Sequence, residues 1–559
     1  MGTEVFSTEF WKAVAPEAIL VIGLVLIFVV PNLGNSKFRI PLTKVQIPWF
    51  LGGRRFKFTG SPAIPGMLAA ATLFTALGMM VIETIDGKMD TTTVTSGETV
   101  LLQIDAFSRF FEIIFLAAIL LAVMASLDRI PANTFEGKKT LDELYDNRRQ
   151  ADLYILMLTT AVGMCMVALA QDLFVLFVGL ELASLATYVL VAFHKESKAG
   201  AEAGVKYFIV GSVASGIGLY GLSLLYLEYG SLQLDVLASD WDGSILATIG
   251  LGLVLVGFGF KVSAAPFHFA APDAYAGANS PVAGILATAS KAMGMIGLVR
   301  VLLVVALPDV DSDGSAIWLY TLATLSVVTM TWGNLAALGS TNPKRMLAYS
   351  SVAHAGYMMA ALTAVGAWKW GEIEAPVEYA HAIVAAVLFH LFVLVAFKLG
   401  AFLVLGLLEM EGGASRLSAL SGLARRDPLI GTAMFVFMLS LAGVPPLAGF
   451  MSKFLVVSGI VSASIGDLSG SVSFSDLHWI WWLALAMFIN SAISVFYYLR
   501  IGVVMFLDVP EEGRRKPLPY GASIRMAIWI CLVATIIIGL SGDTLIDMCY
   551  RAAESLNLG

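Results

Sequence analysis

Long apolar runs separated by short polar gaps are the main pattern of this chain. Runs of roughly 18 to 28 residues recur from Val14 to about Gly542, and this is the length that a helix needs to cross the hydrocarbon core of a bilayer. The pattern predicts an all-α integral membrane protein with about fourteen transmembrane helices. The predicted spans are 14–31, 63–83, 106–127, 151–170, 172–193, 204–228, 244–265, 280–307, 316–338, 346–366, 380–408, 429–463, 477–506 and 524–541.

Prolines interrupt the seventh and the twelfth predicted span. The seventh runs through Lys261 into Pro266, and the twelfth contains Pro445 and Pro446 shortly before Lys453. Proline removes a backbone donor, which is tolerated at membrane depth only where protein or a water-filled cavity satisfies the freed groups. Two discontinuous helices five spans apart predict two five-helix repeats, inverted relative to each other because five is an odd number.

The predicted spans and repeats divide the chain into four regions. They are the first three spans with their loops (1–150), the first five-helix repeat (151–310), the second, inverted repeat (311–508), and a loop with the last span (509–559).

Basic residues concentrate in alternate polar gaps. They recur between 37 and 57, between 129 and 149, and at Lys195, Lys198, Lys344, Arg345, Arg416, Arg425, Arg426, Arg514, Arg515 and Lys516. The intervening gaps are acidic or neutral. By the positive-inside rule, both termini are expected to face the outside of the membrane, and the even number of spans agrees.

Composition supports the membrane assignment and narrows the function. Hydrophobic residues make up 58% of the chain and charged residues only 13%. The net charge of -7 and the lack of a basic tract with interleaved aromatic residues argue against nucleic acid as a partner. Cys165, Cys531 and Cys549 are scattered without C-x-x-C spacing, so we expect no disulfide framework, iron-sulfur cluster or zinc site.

Among the ionisable side chains inside predicted spans, six stand out as candidates for function, namely Glu181, Lys206, Lys261, Lys291, Lys398 and Lys453. A charge in the bilayer core costs a few kcal/mol or more, so such residues usually pair with each other or line a hydrated path. Glu181 needs a cationic partner, and Lys206 and Lys261 on the next two helices are the candidates. The alternative is a static ion pair that only holds helices together.

Some of these charges have a simpler interpretation. Lys206 lies close to the end of its helix, where a lysine can extend to the lipid headgroups, and the pattern by itself favours that interpretation. Arg300 and Arg500 lie near span ends and are expected to be interfacial anchors of the same kind. Lys261 and Lys291 cannot reach water in this way, so each needs a hydrated cavity or an internal partner.

Histidines accompany the lysines of the second half. His354 lies early in the tenth span, and His390 precedes Lys398 by eight residues. Eight residues are about two helical turns, which places the two side chains on one helix face about 12 Å apart. A chain of water molecules between them would complete a proton relay. The alternative is that each histidine is an ordinary packed, hydrogen-bonded residue.

Several motifs resemble one family of membrane proteins. Between 259 and 291 the chain reads GFKVSAAPFH, PDAY and ATASK, and further matches are APE at 15–17, FVGLE at 177–181, EAGVKY at 202–207, LAYSSVAHAGY at 347–357, GVPP at 443–446 and FMSK at 450–453. In this order and spacing the motifs resemble the antiporter-like membrane subunits of respiratory complex I, and among them most closely the subunit N branch.

The resemblance implies a function and a role for each charged residue. The chain would move protons from cytoplasm to periplasm as part of an NADH:quinone oxidoreductase. Glu181 would tune Lys206 and Lys261, Lys291 would be the central relay, and Lys453 would belong to the path to the outside. The resemblance also implies that NADH, FMN, iron-sulfur clusters and quinone are bound by partner subunits, with no cofactor in this chain, and that membrane-arm subunits K and M are its neighbours.

One departure from the pattern keeps an alternative open. His390 with Lys398 resembles the sibling subunits L and M and the multisubunit cation/proton antiporters more than subunit N. A subunit of such an antiporter, or of a membrane-bound hydrogenase, is therefore the alternative function, and a scaffold with inert buried charges is a third. The charged segment 128–150 is longer than the resemblance predicts and has no assigned role.

Overall fold

Helices make up most of the chain in this computed structural model. It describes residues 2–4, 7–32, 37–39, 46–48, 64–85, 91–97, 99–128, 147–194, 197–305, 317–373, 375–465, 477–510, 516–519, 521–556 and 558. Several basic positions used to predict orientation lie outside these residues, as does most of the charged segment 128–150. These positions are Lys44, Arg54, Arg55, Lys57, Arg129, Lys138, Lys139, Lys195, Arg514 and Arg515.

The first half of the chain contains twelve described α-helices, four of which have eight residues or fewer. They are α1 (Thr8–Ala13), α2 (Ala15–Asn32), α3 (Ile64–Ile85), α4 (Ala106–Ser126), α5 (Asn147–Leu169), α6 (Leu173–Val191), α7 (Lys198–Tyr229), α8 (Leu234–Asp240), α9 (Ile245–Val262), α10 (Ala270–Gly277), α11 (Ser280–Ala287) and α12 (Ala289–Leu298). Polar caps set several starts: Asp172 accepts from backbone amides of α6, and Ser197 does so for α7.

The second half follows the same style. Its described α-helices are α13 (Ile317–Gly339), α14 (Pro343–Lys369), α15 (Val377–Leu394), α16 (Gly400–Glu411), α17 (Leu423–Arg426), α18 (Pro428–Ala442), α19 (Ala448–Ile465), α20 (Trp481–Phe506), α21 (Ala522–Leu540) and α22 (Asp543–Glu554). Short 3-10 turns span Phe267–Phe269 and Leu417–Leu420, and π-helical segments span Val299–Val305 and Val395–Leu399. Within the described residues, twelve helical segments are long and apolar enough to cross a membrane. The helical membrane fold is thus confirmed, while the count of fourteen stays a prediction.

Both predicted helix interruptions are present. The C-cap residue that follows α9 is Ser263, with a left-handed φ of 60°, and the one that follows α18 is Gly443, with φ 87°. In each case the amide two residues after the helix closes the end, since Ala264 donates to Gly259 and Val444 donates to Leu439. The same termination in both halves supports the two predicted repeats.

Two irregular helices were not predicted. The predicted span at 280–307 is present as an apolar segment, Ser280–Leu303, but Thr288, with a φ of -122° and a ψ of -81°, divides it into α11 and α12. The hydroxyl of Thr288 donates to the Gly284 carbonyl at 2.8 Å, a local bond that competes with the helix. The second irregularity is the π-helical segment that contains Lys398, a geometry often found at functional sites.

Glycines bring corresponding helix pairs into close contact. A side chain on Gly163 of α5 would collide with the backbone of Ala183 in α6, and one on Gly333 of α13 would collide with that of Ala353 in α14. Small residues permit such close packing of membrane helices. The α5–α6 pair begins the first predicted repeat and the α13–α14 pair begins the second. The similar packing of the two pairs is a second argument for the repeats.

Five short strands and a final amphipathic helix were also not predicted. Strands β1 (Gly2–Glu4), β4 (Thr92–Ser96) and β5 (Thr99–Ile104) form one sheet, with β1 parallel and β5 antiparallel to β4, while β2 (Lys37–Arg39) and β3 (Gln46–Pro48) form an antiparallel pair. Strand β5 leads into α4, where the Phe107 amide donates to Ser555 just beyond α22. Both ends of the chain therefore lie at the same face of the helix bundle.

Candidate functional site

Two buried lysines, Lys261 and Lys291, lie beside the break after α9. Lys261 is 4% exposed, and its ammonium has no hydrogen-bond partner among the described residues; it lies 5.3 Å from the centre of the Tyr188 ring. Lys291 is 1% exposed and donates to the Val262 carbonyl at 2.7 Å. Because Val262 is the last residue of α9, this ammonium sits at the negative end of the helix dipole.

Glu181 and Lys206 do not pair with each other. The half-buried carboxylate of Glu181 accepts a hydrogen bond from Ser215 and is close enough to Lys261 for their charges to interact. Lys206, 49% exposed, instead forms ion pairs with Glu202 at 2.7 Å and with Asp273 at 3.1 Å. The predicted pairing of Glu181 with Lys206 is therefore wrong, because the Lys206 side chain extends to the end of the bundle, as its position in the sequence favoured.

Lys206 lines a polar cavity at that end of the bundle. The cavity has a volume of about 680 Å³ and lies between the beginnings of α7 and α14 and the end of α10. Its charged lining comprises Glu202, Lys206, Asp273 and Arg345, and Asp273 bridges Lys206 and Arg345. We call it the charged vestibule. It brings solvent to the end of the broken-helix region.

The second half contains a run of hydrogen-bonded side chains, which we call the buried polar chain: Lys398, Ser350, Tyr498, His354, His390 and Ser452. At its first end the Lys398 ammonium donates to the Ser350 hydroxyl at 3.0 Å. The Ser350 hydroxyl is 2.6 Å from that of Tyr498, which is 3.4 Å from Nε2 of His354. Each of the six side chains belongs to a residue that is no more than 2% exposed.

The two histidines continue this chain. Nδ1 of His354 is 2.9 Å from Nε2 of His390, and Nδ1 of His390 is 3.1 Å from the Ser452 hydroxyl. His390 and Lys398 were expected to communicate through water along one helix face. In the structure, side chains of α14 and α20 connect them instead. Helical periodicity cannot predict this connection, because it involves other helices.

Lys453 occupies the second break as Lys291 occupies the first. Its ammonium lies 3.3 Å from the carbonyl of Ala442, the last residue of α18, and donates to the Ser491 hydroxyl at 2.9 Å. It also lies 5.8 Å from the centre of the Tyr357 ring, within the range of a cation–π interaction. In both halves, therefore, a buried ammonium contacts the last carbonyl of an interrupted helix.

A buried ion pair connects the two halves and was not predicted. Lys344 was counted among the basic loop residues, yet its side chain is 0% exposed and its ammonium lies 2.7 Å from Glu409, also 0% exposed. The same ammonium donates to the Ala278 carbonyl, and the Ser280 amide donates to Glu409 at 3.0 Å. The segment between α10 and α11 is thereby fixed against α14 and α16.

Arg300 also differs from the expectation. Its residue is 4% exposed and its guanidinium donates to the Ala168 carbonyl at 2.6 Å, so its assignment as an interfacial anchor is wrong. The π-helical segment that contains Arg300 directs the side chain inward, against Phe107 of α4.

Metal-binding groups are not found in the part of the chain that the structure describes. No group of three or more histidine, cysteine or acidic side chains is arranged to hold a metal ion there. Cys165, Cys531 and Cys549 are free and buried. The chemistry that the described groups can perform is transfer of protons between hydroxyl, imidazole, ammonium and carboxylate groups.

Comparison with known proteins identifies the family. The family model described as NADH:quinone oxidoreductase/Mrp antiporter, TM, matches residues 170–477, more than half of the chain. The chain belongs to this family. The match covers the broken helices, the charged vestibule and most of the buried polar chain, and the resemblance seen in the motifs is confirmed.

Individual relatives agree over nearly the whole length. The chain is 34% identical to NADH-quinone oxidoreductase subunit N from Heliobacterium modesticaldum, covering 88% of this chain and 93% of that protein. It is 33% identical to F(420)H(2) dehydrogenase subunit N from Methanosarcina mazei, covering 91% and 94%. A chain in the structure of respiratory complex I from Thermus thermophilus with bound aureothin is 29% identical, with a TM-score of 0.68 and coverage of 95% and 98%. Both sequence relatives are named subunit N, the branch that the motifs favoured.

Proposed function

We propose that this chain is a proton-translocating subunit in the membrane arm of an NADH:quinone oxidoreductase, and hence part of a translocase. The buried polar chain is the observation that carries the proposal. Relatives that match most of the length of this protein are named as subunits of such oxidoreductases. Redox chemistry at NADH, FMN, iron-sulfur clusters and quinone would take place in partner subunits and drive the proton movement in this one.

The proposed relay runs along the membrane from the first break to the second. Its members are Lys261, Lys291, Lys398, His354, His390 and Lys453, with Ser350, Tyr498 and Ser452 between them. Histidine can accept a proton at one ring nitrogen and release one from the other, and serine and tyrosine hydroxyls both donate and accept. The buried polar chain can therefore pass a proton by successive exchange of hydrogen bonds. Lys291 is close enough to Lys398 for their charges to interact, and water would bridge the remaining gap.

Two residues at the edge of the relay have proposed roles as its connections. Lys206 in the charged vestibule would exchange protons with the aqueous phase. Glu181 lies on a helix whose outer face exposes Val178, Leu182 and Leu185, so its charge would be sensitive to a neighbouring subunit, K or M, packed against α6. A neighbour's change of charge would then reach Lys261 through Glu181.

The proposed topology follows from the same features. Residues 151–310 and 311–508 would be the two inverted repeats, preceded by 1–150 and followed by 509–559. Both ends of the chain lie at one face of the bundle, which supports an even number of membrane crossings. The distribution of basic residues would place that face in the periplasm of a bacterial cell, with protons moving towards it from the cytoplasm.

A pair of histidines on one helix gives a matched test. In the assembled complex in proteoliposomes, His390→Gln should lower the number of protons moved per NADH oxidised severalfold, because glutamine cannot alternate between donor and acceptor as imidazole does. His381→Gln, on the same helix but outside the buried polar chain, should leave that ratio unchanged.

The lysine and glutamate members provide a second test. The double variant Glu181→Ala, Lys291→Ala should assemble and lose proton pumping. Wild-type pumping by either this variant or His390→Gln, in a complex shown to contain all subunits, would refute the relay. Assembly defects without any change in the proton ratio of the assembled fraction would favour a scaffold role for the buried charges.

A further inference from the structure

A second group of ionisable side chains lies in the N-terminal helices, apart from the relay. Arg109 of α4 is its centre: Nη1 contacts Glu112 at 2.7 Å and also contacts Glu17 of α2, and Nε lies 3.3 Å from Glu83 of α3. Nη2 donates to the Ala13 carbonyl at 2.9 Å. We call these four side chains, Arg109, Glu17, Glu83 and Glu112, the Arg109 cluster.

The charges of this cluster do not balance. Three carboxylates share one guanidinium, so the fully ionised cluster would carry two excess negative charges. The side chains of Arg109 and Glu112 are 1% and 0% exposed, Glu17 is 15% exposed, and Glu83 is 39% exposed. Excess charge in a buried site is costly, and binding a proton is the direct way to remove it.

The hydrogen bonds identify where a proton would sit. Oε1 of Glu112 and Oε2 of Glu17 are buried, and neither has a hydrogen-bond partner among the residues that the structure describes. The other oxygen of each carboxyl group contacts the same nitrogen of Arg109, which places the two groups side by side. A buried carboxylate oxygen without a donor is costly, whereas a carboxyl group that holds a proton becomes a donor itself.

We propose that Glu17 and Glu112 share one proton beside Arg109, and that the cluster is a proton-binding site that exchanges with the aqueous phase past Glu83. Glu112 is faced by Glu17 from α2, by Arg109 on its own helix and by the thiol of Cys165 from α5. The other described helical segments that pack against α4 contribute no ion pair to the cluster; they are α11, α12, α21, α22 and the π-helical segment Val395–Leu399, which contains Lys398.

This site does not depend on the relay. It lies in the region 1–150, at the face of the bundle that carries both ends of the chain, since Glu17 and Arg109 lie near the beginnings of α2 and α4 and Glu83 near the end of α3. It would store a proton close to the surface without forming part of the path through Lys291 and Lys453.

The Cys165 thiol provides the test. The charge of a carboxylate changes the electric field at a neighbouring thiol, so the S–H stretching frequency of that thiol depends on whether the carboxyl group holds a proton. We expect infrared spectra of the purified full-length chain, recorded between about pH 5 and pH 10, to show this band shift in one step. Its assignment comes from its loss in Cys165→Ala, and Glu112→Gln should abolish the pH-dependent shift.

Two results would overturn the proposal. One is a wild-type Cys165 band that keeps its position throughout the titration. The other is a shift that persists unaltered in Glu112→Gln, or in Glu17→Gln if Glu112→Gln does not fold. Glu181→Gln, which removes a membrane carboxylate outside the cluster, should leave the titration of the Cys165 band intact.

Discussion

The buried ion pair between Lys344 and Glu409 leads to a prediction whose size follows from its geometry. The two charges are 2.7 Å apart and both side chains are 0% exposed. At this distance the attraction is about 6 kcal/mol for an effective dielectric constant of 20. Replacing Glu409 by the isosteric glutamine removes that attraction and leaves the Lys344 ammonium unpaired in the interior.

The expected loss of stability is about 3 to 5 kcal/mol, the range found when one partner of a buried pair is removed. It should be measured as the free energy of unfolding of the purified chain in detergent, from denaturant titrations followed by tryptophan fluorescence. The matched control is Glu202→Gln. Its ion pair with Lys206 has the same length of 2.7 Å but lies at the surface, so we expect little change.

The double variant Lys344→Met, Glu409→Gln separates charge from shape. Methionine retains much of the length of the lysine side chain, and glutamine can still accept from the Ser280 amide, so no charge remains unpaired. We expect the double variant to recover most of the stability lost in Glu409→Gln. The reasoning is refuted if Glu409→Gln is as stable as the unsubstituted chain, or if the double variant is less stable than the single one.

Two further predictions concern the relay and the helix packing. Tyr498→Phe removes the hydroxyl that links Ser350 to His354 in the buried polar chain. We expect it to lower the number of protons moved per NADH oxidised in proteoliposomes. Tyr497→Phe should leave this number unchanged, because the Tyr497 hydroxyl bonds to Asn334 instead. Gly333→Ala should destabilise the chain by about 1 to 3 kcal/mol in denaturant titrations, because its Cβ would lie 2.6 Å from a backbone nitrogen, whereas Gly339→Ala meets open space and should not destabilise it.

Residue patterns predicted the features that depend on local chemistry. Apolar runs marked the membrane helices, because a spanning helix must present apolar side chains over its whole length. Prolines marked the breaks after α9 and α18, because they remove backbone donors wherever they occur. Buried lysines stood out because a charged residue within an apolar run is rare and can be recognised before its partners are known.

Features that depend on distant partners could not be predicted in this way. Lys344 lies at the beginning of α14, next to a polar gap, so its side chain was expected to be exposed to solvent. Only the fold reveals that Glu409 is its neighbour. The links of the buried polar chain come from four separate parts of the sequence. Nothing in its apolar surroundings marked Tyr498 as a link, and the motifs that contain Ser350 and Ser452 did not show which side chains these hydroxyls contact.

The breaks and the lysines are physically a single feature. In a continuous helix the carbonyls of Val262 and Ala442 would face Pro266 and Pro446, four residues later, and neither proline has an amide hydrogen to donate. Ending the helix in a left-handed residue leaves these carbonyls free and presents the negative end of the dipole. Lys291 and Lys453 occupy those positions. An ammonium at such an end is stabilised where the bilayer would otherwise exclude it, which explains why these two charges can persist at membrane depth.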